Sequence, residues 1–255
     1  MRDMCVLTVV RNEKIFLPLW YEYYSRAFEN CDIYIDDNMS DDGSCELLPP
    51  DVNVTKCTSI RPGQAYDIAP HITARVTQLL GSYKCVMFAE VDDFYVADPA
   101  HHASLKEYVE KFLVSKDQFR AVNGHDVQHI IDTEPALDLT KRPFLMQRST
   151  WIQSPGLSRV GLTKISVPWG KGFHSAWGRR PECDPTLYYI HLHHVDFDLC
   201  EQRHMHRASF NKQGGCQVQV GDELRAHMRD KIANPRKYHL TPTLYEIPER
   251  VRAVF

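Results

Sequence analysis

Val86-Met87-Phe88-Ala89-Glu90-Val91-Asp92-Asp93-Phe94-Tyr95 reads as a buried strand that runs into three carboxylates and then resumes as apolar chain. A hydrophobic run normally ends in turn residues. Acids crowded at its C-terminal end repel one another and lose hydration, costs that a counter-cation readily offsets. A divalent metal is such a cation. Glu90 and Asp92 alternate, so both point the same way if strand geometry persists there, and hard Mg²⁺ or Mn²⁺ prefers such carboxylates together with substrate phosphates. The alternative is a strand end with solvated acids, because short acidic motifs recur without function.

Upstream of this segment strand and helix patterns alternate, which argues for a parallel sheet covered by helices. Met4 to Val10 is apolar and β-branched. Pro18 is tolerated only in a first helical turn, so the next helix should begin near Phe16 or Leu17, with Trp20, Tyr23, Tyr24 and Ala27 on one face. Asp32 to Ile35 is a second strand, ending in Asp36-Asp37-Asn38-Met39-Ser40-Asp41-Asp42-Gly43-Ser44, and Val52 to Thr58 is a third. Ile68, Ile72, Val76, Leu79 and Leu80 mark a helix before the acidic strand. Downstream, Ser104 and Glu107 have capping-box spacing ahead of the stripe Leu105, Tyr108, Val109, Phe112 and Leu113. After about Arg120 the pattern becomes irregular, rich in His, Pro, Trp and Arg, and suits a substrate-binding half built on loops.

Bulk properties narrow the partners. The chain has 255 residues, 43% of them hydrophobic, enough to bury a full core. A formal charge of −3 gives no global basic surface, so nucleic acid or anionic membrane as main partner has no electrostatic support. No run approaches the ~18 apolar residues of a membrane span, and Met1-Arg2-Asp3-Met4 leads into a strand-like run rather than a secretory signal. Eight cysteines lie scattered, without zinc-ribbon or redox spacing, as expected of reduced thiols. Cytoplasmic residence is the expectation that follows.

Three polar clusters fall directly after expected parallel strands: Arg11-Asn12-Glu13, Asp36 through Asp42, and Glu90 through Asp93. Ligands of open α/β sheets bind outside the carboxyl ends of the strands, so one edge should gather all three. A nucleotide site is the natural reading. Carboxylates of the second loop can accept hydrogen bonds from ribose hydroxyls or a base N–H, while the third loop holds a metal that neutralises a diphosphate. Alternatively, Asp37 to Gly43 is an Asx-rich turn.

Val9-Val10-Arg11-Asn12-Glu13, then Trp20, then Asp37-Asn38-Met39-Ser40-Asp41-Asp42-Gly43, then Glu90-Val91-Asp92-Asp93-Phe94 resembles the nucleotide-sugar domain of family-2-like glycosyltransferases of the GT-A fold. Within that group the chain is similar to the branch whose metal motif reads Asp-x-Asp-Glu-Phe and whose second half carries a Gly-Phe-His segment, here Gly172-Phe173-His174, followed by Leu192-His193-His194-Val195-Asp196. The resemblance spans about residues 5 to 200. It implies a GT-A (Rossmann-like), mostly parallel sheet flanked by helices, with residues 1–118 as the nucleotide-sugar half, 119–233 as an irregular acceptor-binding, catalytic half and 234–255 as a tail. It also implies Mn²⁺ or Mg²⁺, a UDP- or GDP-linked sugar donor and a glycan-type hydroxyl acceptor.

Two positions depart from that branch: Glu90 stands where the family usually has its first Asp, and Asp93 where it usually has Glu. Asp92 is therefore the first choice as metal ligand, with Glu90 acting directly or through a water. The resemblance implies a histidine closing the metal shell; His174, His191, His193 and His194 could supply the nitrogen or orient phosphate oxygens, and His174 and His193 are taken as ligands. Alternation puts His191 and His193 on one strand face and His194 on the other. Val10, Arg11, Asn12, Glu13, Asp37, Asn38 and Asp41 are the candidate donor-binding residues. Arg148, Lys164 and Lys171 could offset charge on the leaving nucleotide.

The expected reaction is sugar transfer, with the metal as Lewis acid and a carboxylate as base; Asp126, Asp184 and Asp196 are the candidate bases. A sugar nucleotidyltransferase should carry a Gly-rich loop after strand one, which Arg11-Asn12-Glu13 lacks. A non-catalytic nucleotide-sugar-binding module is the rival of another class. A zinc hydrolase would need His125 and His129 on a helix, where Gly124 is unfavourable.

Overall fold

The structure is a computed structural model that describes residues 1–57, 68–178, 182–210, 219–238 and 242–255, leaving out the side chains of residues 171 and 207–210. In chain order the elements are β1 (Arg2–Val10), α1 (Phe16–Ala27), β2 (Asp32–Asp37), β3 (Asn53–Lys56), α2 (Ile68–Leu79), β4 (Tyr83–Phe88), β5 (Asp93–Ala97), α3 (Leu105–Val114), β6 (Phe119–Gln128), β7 (Thr150–Thr163), β8 (Cys183–His191), α4 (Phe197–Phe210), α5 (Gly221–Ala233), β9 (Thr243–Glu246) and α6 (Glu249–Arg252). All nine strands join one sheet of order β3-β2-β1-β4-β7-β6-β8-β5, with β9 paired to β7.

The first four strands in that order are parallel. The chain leaves β1 through α1 to β2 on one side and returns through α2 to β4 on the other. The order therefore reverses between β1 and β4, and a crevice opens outside their carboxyl ends. Alternation along the strands feeds two cores. Val6, Val10, Cys85 and Met87 face α1 and α3, while Cys5, Leu7, Val86 and Phe88 face α2 together with Trp169 and Phe173. Each such apolar side chain contributes about 1.5–3 kcal/mol when fully buried.

Local signals place the helices as expected. α1 begins at Phe16 and keeps Pro18 in its first turn, and Trp20, Tyr23 and Tyr24 are buried. At α3 the Ser104 hydroxyl accepts from Glu107 N at 3.1 Å, while the Glu107 carboxylate reaches back to Ala103 N rather than to Ser104 N.

Two expectations are corrected, and one rival reading falls as Gly124 implied. Strand geometry does not persist through the acidic motif: β4 ends at Phe88, Asp93 N donates to Glu90 O at 2.9 Å in a turn, and β5 starts at Asp93. The second half is built largely on strands, since β6, β7 and β8 extend the same sheet with 10, 14 and 9 residues. Their alternation is masked by polar groups that pair across the sheet. His125 lies within β6, so no zinc helix forms there.

The tail packs on this body. β9 runs antiparallel to the start of β7, Arg250 pairs with Asp98, and Phe255 stacks on Tyr23 at 5.3 Å. None of the seven described cysteines forms a disulfide. Among the described residues no helix is long and apolar enough to cross a membrane.

Candidate active site

The loops after β1 and β2 are stitched together by reciprocal side-chain bonds. Asn12 donates from Nδ2 to Asp41 at 2.7 Å, and Asp41 N donates back to Asn12 Oδ1 at 2.8 Å. Asn12 has φ 56°, a left-handed conformation that asparagine tolerates better than most residues. Asn12 N also donates to Ser40 Oγ at 3.0 Å. Val10 is buried and its carbonyl accepts from Asn38 N at 2.8 Å. Asp37 accepts from Ser40 N at 2.8 Å, and Asp42 accepts from Ser44 N at 2.9 Å, so turn chemistry engages both carboxylates. Asp36 is turned away to His71 and Arg75 of α2. Arg11 is half-buried in the same loop.

The acidic turn divides its three carboxylates between two arginines. Arg159 of β7 holds Glu90 at 2.7 Å and also contacts Asp93, which is wholly buried. Arg203 of α4 donates to Asp92 at 2.5 Å and to Glu13 at 2.9 Å, closing the crevice between the β1 and β4 loops. Burial opposes ionisation of Asp92, but Arg203, His193 and His191 hold its carboxyl well below the usual range. The negative charge inferred from the sequence is thus largely offset by two guanidinium groups, while burial pushes the Asp93 carboxyl above its usual range.

Two imidazoles complete this group. His191 Nε2 lies 3.6 Å and His193 Nδ1 3.8 Å from Asp92 Oδ2, with the two rings stacked 5.7 Å apart and 7° from parallel. β8 ends at His191, yet the following turn keeps both rings on one side. His191 Nδ1 bonds Asp126 at 3.1 Å, which leaves Nε2 to face Asp92. A carboxylate behind an imidazole in this way fixes its tautomer and orientation. Burial alone would lower the His191 pKa, but Asp126 and Asp92 raise it above the ordinary value.

Below the histidines is a buried ionic floor. Lys231 of α5 donates to Asp126 at 2.6 Å, and His194 Nδ1 lies 3.2 Å from the same carboxylate oxygen and 3.1 Å from Lys231 Nζ. Burial, then the Lys231 charge, depresses the His194 pKa to about 3, so this imidazole is neutral near pH 7. Lys231 holds Asp126 ionised against its burial.

The residues expected from sequence fall into groups. Glu13, Asp92, His193 and Asp126 are joined through Arg203 and His191, while Asn12 pairs with Asp41 in the loops after β1 and β2. Glu90 belongs to the Arg159 pair instead. His174 follows Gly172, whose φ of 67° is left-handed, and its buried Nδ1 has no hydrogen-bond partner among the described residues; burial, then the charge of Arg159, pushes its pKa down to about 4. Asp196 caps α4 through Leu199 N and accepts from buried Arg148, so both serve the fold. Asp184 sits at the opposite end of β8 from His191, bonded to Tyr108 and Thr186. Lys164 caps the end of α3 through the carbonyls of Leu113 and Ser115. The Lys171 side chain lies outside the described residues. Arg159, Arg203, Lys231 and His204 were not singled out from sequence; each acts across more than a turn of chain, and single basic residues carry no local signal.

Asp92, His191 and His193 place one ligand atom each within 4.8 Å of one another. One carboxylate oxygen and two imidazole nitrogens suit Mn²⁺ better than Mg²⁺, which favours an all-oxygen shell. Arg203 shares the position, donating to both Asp92 and, at 3.4 Å, to His193.

No protein-family model matches this chain. No curated protein matches it either. Among solved structures, it is similar to the mannosyltransferase PcManGT from Pyrobaculum calidifontis, solved with GDP-Man and Mn²⁺, over 92% of this chain and 72% of that one, at 15% identity and a TM-score of 0.41. It is also similar to a Desulfovibrio desulfuricans G20 protein provisionally described as a nucleotide-diphospho-sugar transferase, over 94% of this chain and 100% of that one, at 15% identity and a TM-score of 0.35.

Proposed function

We propose that this chain is a glycosyltransferase that moves a sugar from a nucleoside diphosphate donor to a hydroxyl acceptor. The observation that carries the reading is the convergence, at the strand-order reversal between β1 and β4, of Glu13, Asp92, His191 and His193 around Arg203. Crevices at such reversals are where open α/β sheets bind nucleotides. The motif resemblance of the loops after β1, β2 and β4 points the same way.

In this reading Asp92, His191 and His193 hold Mn²⁺. When bound, the ion supplies Lewis-acid stabilisation of negative charge on the leaving diphosphate. Asn12 and Asp41 keep the β1 and β2 loops in register for the nucleoside. Asp126 orients His191 through Nδ1, and Lys231 keeps Asp126 charged for that task. Arg203 balances Asp92 and Glu13 before the ion arrives. The donor is UDP- or GDP-linked and the acceptor a glycan-type hydroxyl. Asp126 positions an imidazole here; general-base duty falls to another group or to the acceptor's own surroundings.

Calorimetry with UDP or GDP and Mn²⁺, beside a product assay over a set of nucleotide sugars, tests the reading. Asp92→Asn should reduce transfer by at least about a hundredfold with an unaltered circular dichroism spectrum, since charge stabilisation of this kind is worth ~2.7 kcal/mol or more. Nucleotide binding indifferent to chelation, or transfer unchanged in Asp92→Asn, would overturn it.

A further inference from the structure

His193 faces two ways. Its Nδ1 is turned to Asp92, while its Nε2 lies 3.2 Å from His204 Nε2. Beyond that second nitrogen a thiol closes the group: Cys200 Sγ is 3.9 Å from His204 Nε2, and Cys200, His193 and His194 each place a ligand atom within 4.8 Å of the other two. Cys200 and His204 are four residues apart on α4 and so share one face, one turn apart. His193 and His194 come from the turn after β8.

The donor set and its spacing match one class of ion. Three imidazoles and a thiolate are borderline-to-soft ligands, preferred by Zn²⁺ rather than by Mg²⁺ or Mn²⁺. With Zn–N near 2.0–2.1 Å and Zn–S near 2.3 Å, tetrahedral ligands stand about 3.3 Å apart for two nitrogens and about 3.6 Å for nitrogen and sulfur. From His204 Nε2 the separations here are 3.2 Å to His193 Nε2 and 3.9 Å to Cys200 Sγ, and His194 lies within 4.8 Å of both His193 and Cys200.

The surroundings orient the nitrogens as well. His204 Nδ1 lies 2.8 Å from the Gln219 carbonyl oxygen, which only an N–H satisfies, so neutral His204 carries its lone pair on Nε2. His194 Nδ1 is engaged by Asp126 at 3.2 Å and Lys231 Nζ at 3.1 Å, which leaves its Nε2 as the nitrogen open to a metal. Cys200 is fully buried, whereas the His193 side chain is 13% exposed and leaves a path for the ion.

We propose that His193, His194, Cys200 and His204 form a tetrahedral Zn²⁺ site, separate from the Asp92 centre and sharing only His193 with it. Zn²⁺ binding releases the Cys200 thiol proton to solvent. Ligation through His193 Nε2 moves that ring's proton to Nδ1, where it faces Asp92. Loading the sulfur-containing site thus converts His193 from a ligand of the Asp92 centre into a hydrogen-bond donor to it. This last step alone rests on the metal role proposed above for Asp92.

Cobalt(II) added to the reduced, chelator-stripped full chain tests the site. At one equivalent it should give a sulfur-to-cobalt charge-transfer band in the near ultraviolet, with visible bands of tetrahedral intensity, and Zn²⁺ should bleach both. Cys200→Ser should lose the charge-transfer band, and His204→Gln should weaken binding about tenfold or more, as loss of even an outer-shell partner does. Asp92→Asn should keep the sulfur-to-cobalt band, whatever it does to affinity, so the result stands apart from any failure of the glycosyltransferase reading. A spectrum without a sulfur band in the wild type overturns the site, as does a band that survives in Cys200→Ser. If Cys200→Ser is unfolded by circular dichroism, unchanged cobalt affinity in His204→Gln overturns it alone.

Discussion

Arg203 Nη1 stands 2.5 Å from Asp92 Oδ2, on the very oxygen that His191 and His193 approach. A guanidinium and a divalent ion cannot both occupy that point. Arg203→Gln should therefore tighten Mn²⁺ binding, by about tenfold if the lost competition is worth ~1.4 kcal/mol. Isothermal titration of the variant against the wild type measures this. Equal affinities would mean that the arginine and the ion do not compete.

Lys231 is the cation beneath Asp126, and both side chains are almost wholly buried. Lys231→Met removes one partner and leaves a carboxylate charge in the interior, a change that costs about 3–5 kcal/mol. Adding Asp126→Asn removes that charge, so the double variant should be more stable than Lys231→Met alone. Urea denaturation of the three proteins checks the order.

Gly161 in β7 is required by close approach. A Cβ at that position would stand 2.3 Å from Tyr95 Cζ and 2.4 Å from its hydroxyl oxygen, and Tyr95 is packed with its O–H donating to Phe88 O at 3.0 Å. Gly161→Ala should destabilise the protein by about 1–3 kcal/mol through overpacking. Thermal unfolding should show it, and Tyr95→Phe in the same background should recover only part, since the ring still clashes.

His125 packs in a three-ring cluster with Trp151 and Tyr188, at ring separations of 4.4 and 5.2 Å, and burial pushes its pKa down to about 4. The unfolded chain binds a proton at this residue near pH 6.5, and the folded one only near pH 4. Stability contributed by the neutral ring is thus complete above pH 6.5 and is lost as pH falls towards 4, at about 1.4 kcal/mol per pH unit. His125→Gln should flatten the pH dependence of stability in that window; an equally steep profile would assign the slope to other groups.

Pro18 and the Ser104/Glu107 pair are local signals, and they placed the starts of α1 and α3 because first-turn chemistry depends on neighbours in sequence. The clusters after β1, β2 and β4 were legible for the same reason. Their counter-charges were not: Arg159 lies 66 residues from Asp93, Arg203 lies 111 from Asp92, and Lys231 lies 105 from Asp126. The acidic turn was misread as continuing strand because alternation looks the same whether or not a turn interrupts the hydrogen-bonding ladder. β6 to β8 were hidden because buried His125, Asp126, Ser158 and Arg159 break their apolar pattern, and the last three are satisfied by Lys231, Asn123 and Glu90, all distant in sequence.

The arginine bridge from α4 to the β1 and β4 loops has a biosynthetic consequence. Because Arg203 and Arg159 offset much of the acidic charge at the crevice, the polypeptide should reach its native arrangement there without waiting on the Mn²⁺ proposed above. If the Asp92 centre works through the ion proposed above, metal scarcity should silence such a protein without sending it to the degradation machinery, and repletion should restore it without new synthesis.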